Sequence, residues 1–327
     1  MTDLTTGESF FTVFICNFHN GSRMNAVPHS VQDCRVVRLA GALGAEVYGI
    51  DLARLSTKQE IDAIKQLLLQ HLVLFFPNQN LTVDQHVEFG RMFGPLEGHP
   101  NLKNPFTQHT ELFELAATHG GVADEWHTDI TFREEPAVMS ILKMVRCPEV
   151  GGDTMWASLY AAYEEMSEPM RSLCDGLTAL HDAHPHNRPE QMAVHPVVRV
   201  HPETGRRALY VNEHFTRRIV ELQATESENL LAHLTRWVTN PRFTVRYRWT
   251  PNCIAIWDNR CTQHFVLNDF VGERIIQRVT VMGDKPMGVK GSSWQPWVKP
   301  GPSTAASRHD RQLKRFLKEK QVRENQA

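Results

Sequence analysis

Short apolar runs of β type recur along the chain, and this pattern constrains its fold more than any other feature. Residues 36–39, 45–50, 137–145, 244–249, 253–257 and 274–282 each read as a strand, and Leu72-Val73-Leu74-Phe75-Phe76 is apolar throughout until Pro77 ends it. A run of that kind suits a strand buried on both faces. Only a few helices are predicted between these runs. Ser56-Thr57-Lys58-Gln59 has the form of a capping box and precedes Ile61, Ile64, Leu67 and Leu68 at helical spacing as far as His71. Thr82-Val83-Asp84-Gln85 opens a second helix through Phe93, a third runs from about Ser158 through Met166, and Thr225-Glu226-Ser227-Glu228 opens a fourth carrying Leu230, Leu231, Leu234, Trp237 and Val238. Regular βαβ units would place a helix after nearly every strand. The pattern predicts instead a mainly β chain, a jelly-roll core decorated by α-helices.

With 327 residues the chain is long enough for one large domain. Residues 1–33 show no sustained periodicity and are expected to be a mobile N-terminal extension, with the folded domain over 34–286. Residues 287–327 shift to Gly, Pro, Ser and Trp and then to a basic stretch, Arg308 to Arg323, expected as a solvated tail that can end in a helix. Charged residues make up 22% and the formal net charge is −2, which excludes a general nucleic-acid binder; an anionic ligand must then be met by local cations. No apolar run approaches the roughly 18–20 residues that span a bilayer, and residues 10–16 follow Asp3 and Glu8 rather than a basic segment, so neither a membrane protein nor a signal peptide is expected. Six cysteines without a CxxC pair read as reduced thiols in a cytoplasm.

Trp126-His127-Thr128-Asp129 places an imidazole and a carboxylate two residues apart, and on an extended strand both point to one face. Two histidines and a carboxylate form a facial triad that leaves coordination positions open for a cosubstrate and O2, the arrangement of non-haem Fe(II) oxygenases. An HxD pair alone says little, because 17 histidines generate such pairs by chance. His264 adds weight, since it follows the β-like run ending at Trp257 late in the same domain. Beyond it Arg274 and Arg278 lie four apart, so a strand aims both cations into one pocket.

At these residues the chain resembles the family of taurine and alkylsulfate dioxygenases, with the related phenoxyalkanoate-degrading enzymes (TauD/TfdA type). The resemblance runs in order through WHTDITF at 126–132, GGDTMWAS at 151–158, HPVVRVHPETG at 195–205, VNEHFTRRI at 211–219, WDNRCTQHF at 257–265 and RIIQRVTVMGDKP at 274–286. It implies a double-stranded β-helix, the jelly roll of cupin-like proteins, with Fe(II) on His127, Asp129 and His264. It implies further that 2-oxoglutarate chelates the iron and is held at its far carboxylate by Thr154 and Arg274. A hydroxyl and an Arg fork suit that carboxylate physically. Arg278 and His99 then resemble the residues that bind the anionic group of the prime substrate, and Phe215 resembles an aromatic wall of its pocket. The implied reaction consumes O2 and 2-oxoglutarate, releases succinate and CO2, and hydroxylates a substrate carbon. Where that carbon bears a sulfonate or sulfate ester, the product collapses to an aldehyde with release of sulfite or sulfate. A homo-oligomer, dimer or tetramer, is expected.

The chain departs from the taurine pattern near the substrate. Ala123 stands where taurine enzymes carry an Asn, and Leu102 where they carry a Tyr; an apolar side chain there suits an alkyl group. The segment between His181 and His195 is shorter than the lid-forming segment of those relatives, which leaves a more open pocket. These differences favour a small organosulfur anion other than taurine. The same chemistry on an aryloxy or other carboxylate, or on a biosynthetic metabolite, stays open, as does a non-catalytic metal-binding barrel. His184 and His186 form an HxH pair, but Pro185 and the loop-like surroundings lead to an expectation of solvent exposure.

Overall fold

The structure is a computed structural model that describes residues 34–97, 108–117, 123–291, 294–297 and 308–326. His99, Leu102 and the extension 1–33 lie outside the described residues.

The described residues start with the hairpin β1 (Arg35–Arg38) and β2 (Ala45–Tyr48), helix α1 (Lys58–His71), strand β3 (Val73–Phe76) and helix α2 (Val83–Arg91). There follow β4 (Leu96–Glu97), β5 (Phe113–Ala117), β6 (Ala137–Arg146), β7 (Thr154–Ser158), α3 (Leu159–Glu164), α4 (Glu168–Asp175), β8 (Thr178–Ala183), β9 (Arg188–Pro196), β10 (Val198–Val200), β11 (Arg207–Leu209) and β12 (Thr216–Ile219). The last elements are α5 (Ala224–Val238), β13 (Thr244–Tyr247), β14 (Ile254–Asp258), β15 (Thr262–Val266), β16 (Arg274–Met282), β17 (Met287–Gly288) and α6 (Arg308–Gln326). One large sheet runs β1-β2-β3-β14-β6-β16-β4 with β5 on β16, and three smaller sheets run β13-β7-β15, β12-β8-β9 and β11-β10-β17.

The large sheet is covered on both faces at its middle, which explains why β3 is apolar without interruption. Leu74, Phe76, Met139, Ile141, Ile254, Ile256, Val279 and Val281 share a core with Ile61, Ile64 and Leu68 of α1 and Val87 and Phe89 of α2. The alternate residues Phe75, Leu142, Met144, Ala255, Trp257 and Ile276 face the smaller sheets through Trp156, Val245 and Tyr247. The period of two thus sorts one strand set into two cores. Full burial of each such side chain contributes roughly 1.5–3 kcal/mol. The result is the expected jelly roll, mainly β with helices on its outside.

Two helix starts lie off their expected residues. The cap of α1 is Thr57, whose N–H donates to Glu60 at 2.9 Å while its Oγ1 accepts from the Glu60 N–H at 3.3 Å. The box therefore uses Glu60 rather than Gln59, because an ionised carboxylate in the first turn is also favoured by the helix dipole. Helix α5 is capped by Gln223, whose N–H donates to Glu226 at 3.0 Å, and Thr225 is already inside it. Helix α6 docks by one face: Leu313 is buried against Leu180 and Val220, with Phe316 and Leu317 beside it, and Asp310 accepts from Arg218 Nε at 2.9 Å.

Candidate active site

Between the large sheet and the β13-β7-β15 sheet lies a cavity of about 340 Å³. The strand period fills it: Thr154 and Trp156 from β7, His264 and Val266 from β15, and Arg274, Ile276 and Arg278 from β16 all line it. His127, Asp129 and Phe215 line it as well, so every expected site residue among the described ones meets in one space. A second groove of about 420 Å³, between α6 and the β8-β9 strands, contains none of them.

His127 and Asp129 do not sit on a regular strand as the spacing suggests. His127 forms a single antiparallel bridge with His264, with N–H to carbonyl bonds of 3.1 and 2.8 Å, and the chain turns at once through Ile130 at φ +47°. The turn is held by Thr128 Oγ1 donating to the Thr262 carbonyl at 2.8 Å and by Ser140 Oγ donating to Asp129 Oδ2 at 2.7 Å. The bridge brings the two imidazoles together, and Asp129 Oδ1 lies 4.0 Å from the Nε2 of each. One ligand atom from each of the three buried residues lies within 4.8 Å of the others.

This donor set fits a dication. His127 Nδ1 lies 2.8 Å from the Glu125 carbonyl, which can only accept, so the proton sits on Nδ1 and the Nε2 lone pair faces Asp129. Burial, with His264 beside it, pushes His127 well below its ordinary value, and burial takes His264 down to about 4, so both rings are neutral ligands. Burial pushes the Asp129 carboxyl up, but Arg278, the two imidazoles and the Ser140 bond outweigh it and hold the group ionised, well below the usual carboxylate range. Two neutral imidazoles and a carboxylate are the facial triad of non-haem iron sites.

At the other end of the cavity, the turn before β7 carries Gly151 at φ +80° and Gly152 at φ +68°. A Cβ on Gly151 would come within 2.4 Å of the Asp269 carbonyl. The turn presents the Gly152 carbonyl to Arg274 Nε at 3.0 Å, and Arg274 Nη2 reaches Thr154 Oγ1 at 3.3 Å. Burial lowers the Arg274 pKa to about 10, which leaves it a cation at neutral pH. Arg278 lies nearer the triad, donates from Nη1 to Asp129 Oδ1 at 2.8 Å, and has a buried Nε without a partner among the described residues.

A second group that could be taken for a metal site, His201, Asp258 and Cys261, is already committed to bonds within the fold. His201 Nδ1 accepts from the Glu203 and Thr204 N–H groups, and its Nε2 faces Asp258 at 3.1 Å. Arg260 occupies both oxygens of Asp258, and burial holds the Cys261 thiol protonated. This cluster fastens the turn between β14 and β15.

Several residues of the site were not expected from sequence. Ser140 and Asn259 support Asp129, Trp249 bonds Thr154, and His214 pairs with Glu125 at 2.6 Å beside His127. His186 corrects an expectation. His184 is exposed, but His186 is half-buried, lines the cavity and lies edge-on to Phe215 with ring centroids 5.4 Å apart. Pro185 and Asn187, at φ 58°, fold that short segment inward.

Comparison with known proteins gives a consistent result. A profile described as "Taurine catabolism dioxygenase TauD, TfdA family" matches residues 35–280. The chain is 38% identical over 295 residues to an alpha-ketoglutarate-dependent sulfate ester dioxygenase of Pseudomonas putida, covering 83% of this chain and 97% of that protein. It is 35% identical to an alkylsulfatase of Acinetobacter baylyi, covering 81% and 90%. A crystal structure titled as a putative alpha-ketoglutarate-dependent taurine dioxygenase from Burkholderia xenovorans superposes with a TM-score of 0.73 at 40% identity, covering 80% of this chain and 93% of that one.

Proposed function

The chain belongs to the taurine catabolism dioxygenase TauD, TfdA family, and on that premise we propose that it oxidises the carbon beside the anionic group of a small sulfate ester or sulfonate, with Fe(II) on His127, Asp129 and His264. The observation that carries this reading is the cavity with a donor set for a dication at one end, a carboxylate clamp at the other and a second guanidinium between. A plain metal-binding barrel has no use for that clamp. When bound, iron with 2-oxoglutarate and O2 supplies the oxidation, in which one oxygen atom leaves in succinate, CO2 is released, and the other atom becomes a hydroxyl on the substrate.

The protein's residues supply the positioning. Thr154 and Arg274 bind the far carboxylate of 2-oxoglutarate by charge-assisted bonds. Arg278 binds the substrate anion and so sets the neighbouring carbon against the metal end, where proximity counts most. Phe113, Leu115, Ile130, Phe215 and Val266 line the cavity, exclude water and receive an alkyl group. His99 and Leu102, outside the described residues, are assigned to the same substrate pocket. Once the carbon of a sulfate ester is hydroxylated, its C–O bond to sulfate breaks, the hydroxyl proton goes to water, and an aldehyde remains. The sulfate-ester and alkylsulfate relatives support this class, as do the apolar walls.

Purified protein supplied with Fe(II), 2-oxoglutarate and O2 should form succinate and release sulfate in equal amounts from a medium-chain alkyl sulfate. Turnover of an aryloxy acid with no release from any sulfate ester or sulfonate would replace the substrate class. We assign catalysis to residues 34–286, so a chain lacking residues 1–33 should retain turnover. No helix among the described residues is long and apolar enough to cross a membrane. Cys147, Cys174, Cys253 and Cys261 are in no disulfide, which supports a cytoplasmic enzyme, and sedimentation should find a dimer or tetramer.

A further inference from the structure

Thr154 Oγ1 receives two hydrogen bonds, one from Trp249 Nε1 at 2.9 Å and one from Arg274 Nη2 at 3.3 Å. A hydroxyl oxygen has two lone pairs and one proton. Both pairs are taken, so Thr154 can act toward a ligand only as a donor, and its side chain lines the cavity. Trp249 is 5% exposed and its ring is wedged edge-on against Tyr247 and Trp156, with centroids 5.4 and 6.0 Å away, so the direction of its N–H is fixed. Such a bond is no automatic result of packing an indole here: Trp156 Nε1 is equally buried and has no partner among the described residues.

We infer that Trp249 is a positioning residue for the cosubstrate: its indole N–H locks the Thr154 hydroxyl as a donor to the distal carboxylate of 2-oxoglutarate. Arg274 alone leaves one lone pair of Thr154 open, and the hydroxyl is then free to rotate away from the ligand. With the indole in place the ligand meets a donor whose orientation is already set, which lowers the ordering cost of binding. The inference rests on the reading of Thr154 and Arg274 as the carboxylate clamp.

The test compares 2-oxoglutarate with 2-oxobutyrate, which lacks the distal carboxylate, by calorimetry on Zn(II)-loaded protein and by KM in the Fe(II) enzyme. One hydrogen bond's worth of orientation corresponds to about a 3- to 10-fold change. Trp249→Phe should raise the Kd and KM for 2-oxoglutarate by about that factor, with kcat affected less, and leave 2-oxobutyrate binding as it is. Thr154→Val should do the same, and adding Trp249→Phe to it should cost nothing more. Equal losses for both oxo acids, or additive losses in the double variant, would overturn the proposal by reducing Trp249 to a packing residue. Unchanged 2-oxoglutarate binding in both Thr154→Val and Arg274→Ala would instead overturn the clamp itself. If Trp249→Phe does not fold, nitrogen-labelled wild-type protein decides: the Trp249 indole N–H resonance should shift with 2-oxoglutarate and not with 2-oxobutyrate, and no shift overturns the proposal.

Discussion

Asp129 gives one oxygen to each of two neighbours with opposite consequences. Ser140 Oγ, itself accepting from Asn259 Nδ2 at 2.9 Å, donates to Oδ2 and fixes the plane of the carboxylate. Ser140→Ala should therefore weaken Mn(II) binding by about 10- to 100-fold, with turnover recovered at excess metal; an unaltered affinity would remove Ser140 from the site. Arg278 donates to Oδ1, the oxygen that faces both imidazoles, and so competes with a dication for it. Arg278→Gln should tighten Mn(II) binding by about 2- to 10-fold while raising the KM for the substrate anion tenfold or more. Looser metal binding in that variant would mean that Arg278 serves to orient Asp129. His127→Ala, Asp129→Ala and His264→Ala should each abolish turnover, and near-normal succinate formation in any one would dismiss the triad. The site residues legible in sequence are those whose chemistry is written in their own type and spacing: the HxD pair, the late His264, and Arg274 with Arg278. Ser140, Asn259 and Trp249 were not legible, because each matters only through register. Ser140 lies opposite Trp257 across the β6-β14 pair, and no local pattern announces that.

Among the elements, β3 at the middle of the large sheet was the most legible, since burial on both faces leaves the uninterrupted apolar run Val73–Phe76, whereas β4 and β5 of the same sheet carry no such run. Helix starts were legible to within a residue or two, because neighbouring Ser, Thr and Gln side chains compete for one cap, and the neighbours Ser56 and Thr57 illustrate it. The HxD spacing would suit a strand, but the segment forms only a single bridge, His127 with His264. Its residues follow the period of two at His127 and then leave it, because Thr262, Asn259 and Ser140, remote in sequence, supply the bonds that hold the turn. The Gly151-Gly152 turn shows how much an element without regular structure can control. Both residues are left-handed, and the turn sets the Gly152 carbonyl and Thr154 against Arg274. Gly151→Ala meets the Asp269 carbonyl as well as an unfavourable φ. It should cost about 2 kcal/mol or more of stability and raise the KM for 2-oxoglutarate, read as a lowered Tm together with the kinetic change. A normal Tm and KM would show that the turn relaxes without disturbing the clamp.

At the scale of the whole molecule, buried neutral histidines join its layers. His86 Nε2 on α2 meets the Ile141 carbonyl of β6 at 3.1 Å and ties the outer helices to the large sheet. His195 Nε2 meets the Thr131 carbonyl at 2.8 Å, and His181 Nδ1 lies 3.0 Å from Thr131 Oγ1, so the β8-β9 pair is tied to the turn that carries Asp129. Burial pushes His86 and His195 down to about 4 and His181 well below its ordinary value of 6.5. In the unfolded chain these groups titrate near 6.5. Between the two values the unfolded chain binds more protons than the folded one, so stability is complete above about pH 6.5 and falls as pH drops toward 4. Each group should remove on the order of 1–2 kcal/mol between pH 7 and pH 5. Urea unfolding at a series of pH values should show that slope. His86→Gln keeps a donor for the Ile141 carbonyl and removes one titrating group, so it should flatten the slope whatever it does to stability at neutral pH. A midpoint independent of pH from 7 to 5, or an undiminished slope in His86→Gln, would mean that these joints do not set the acid limit of the fold.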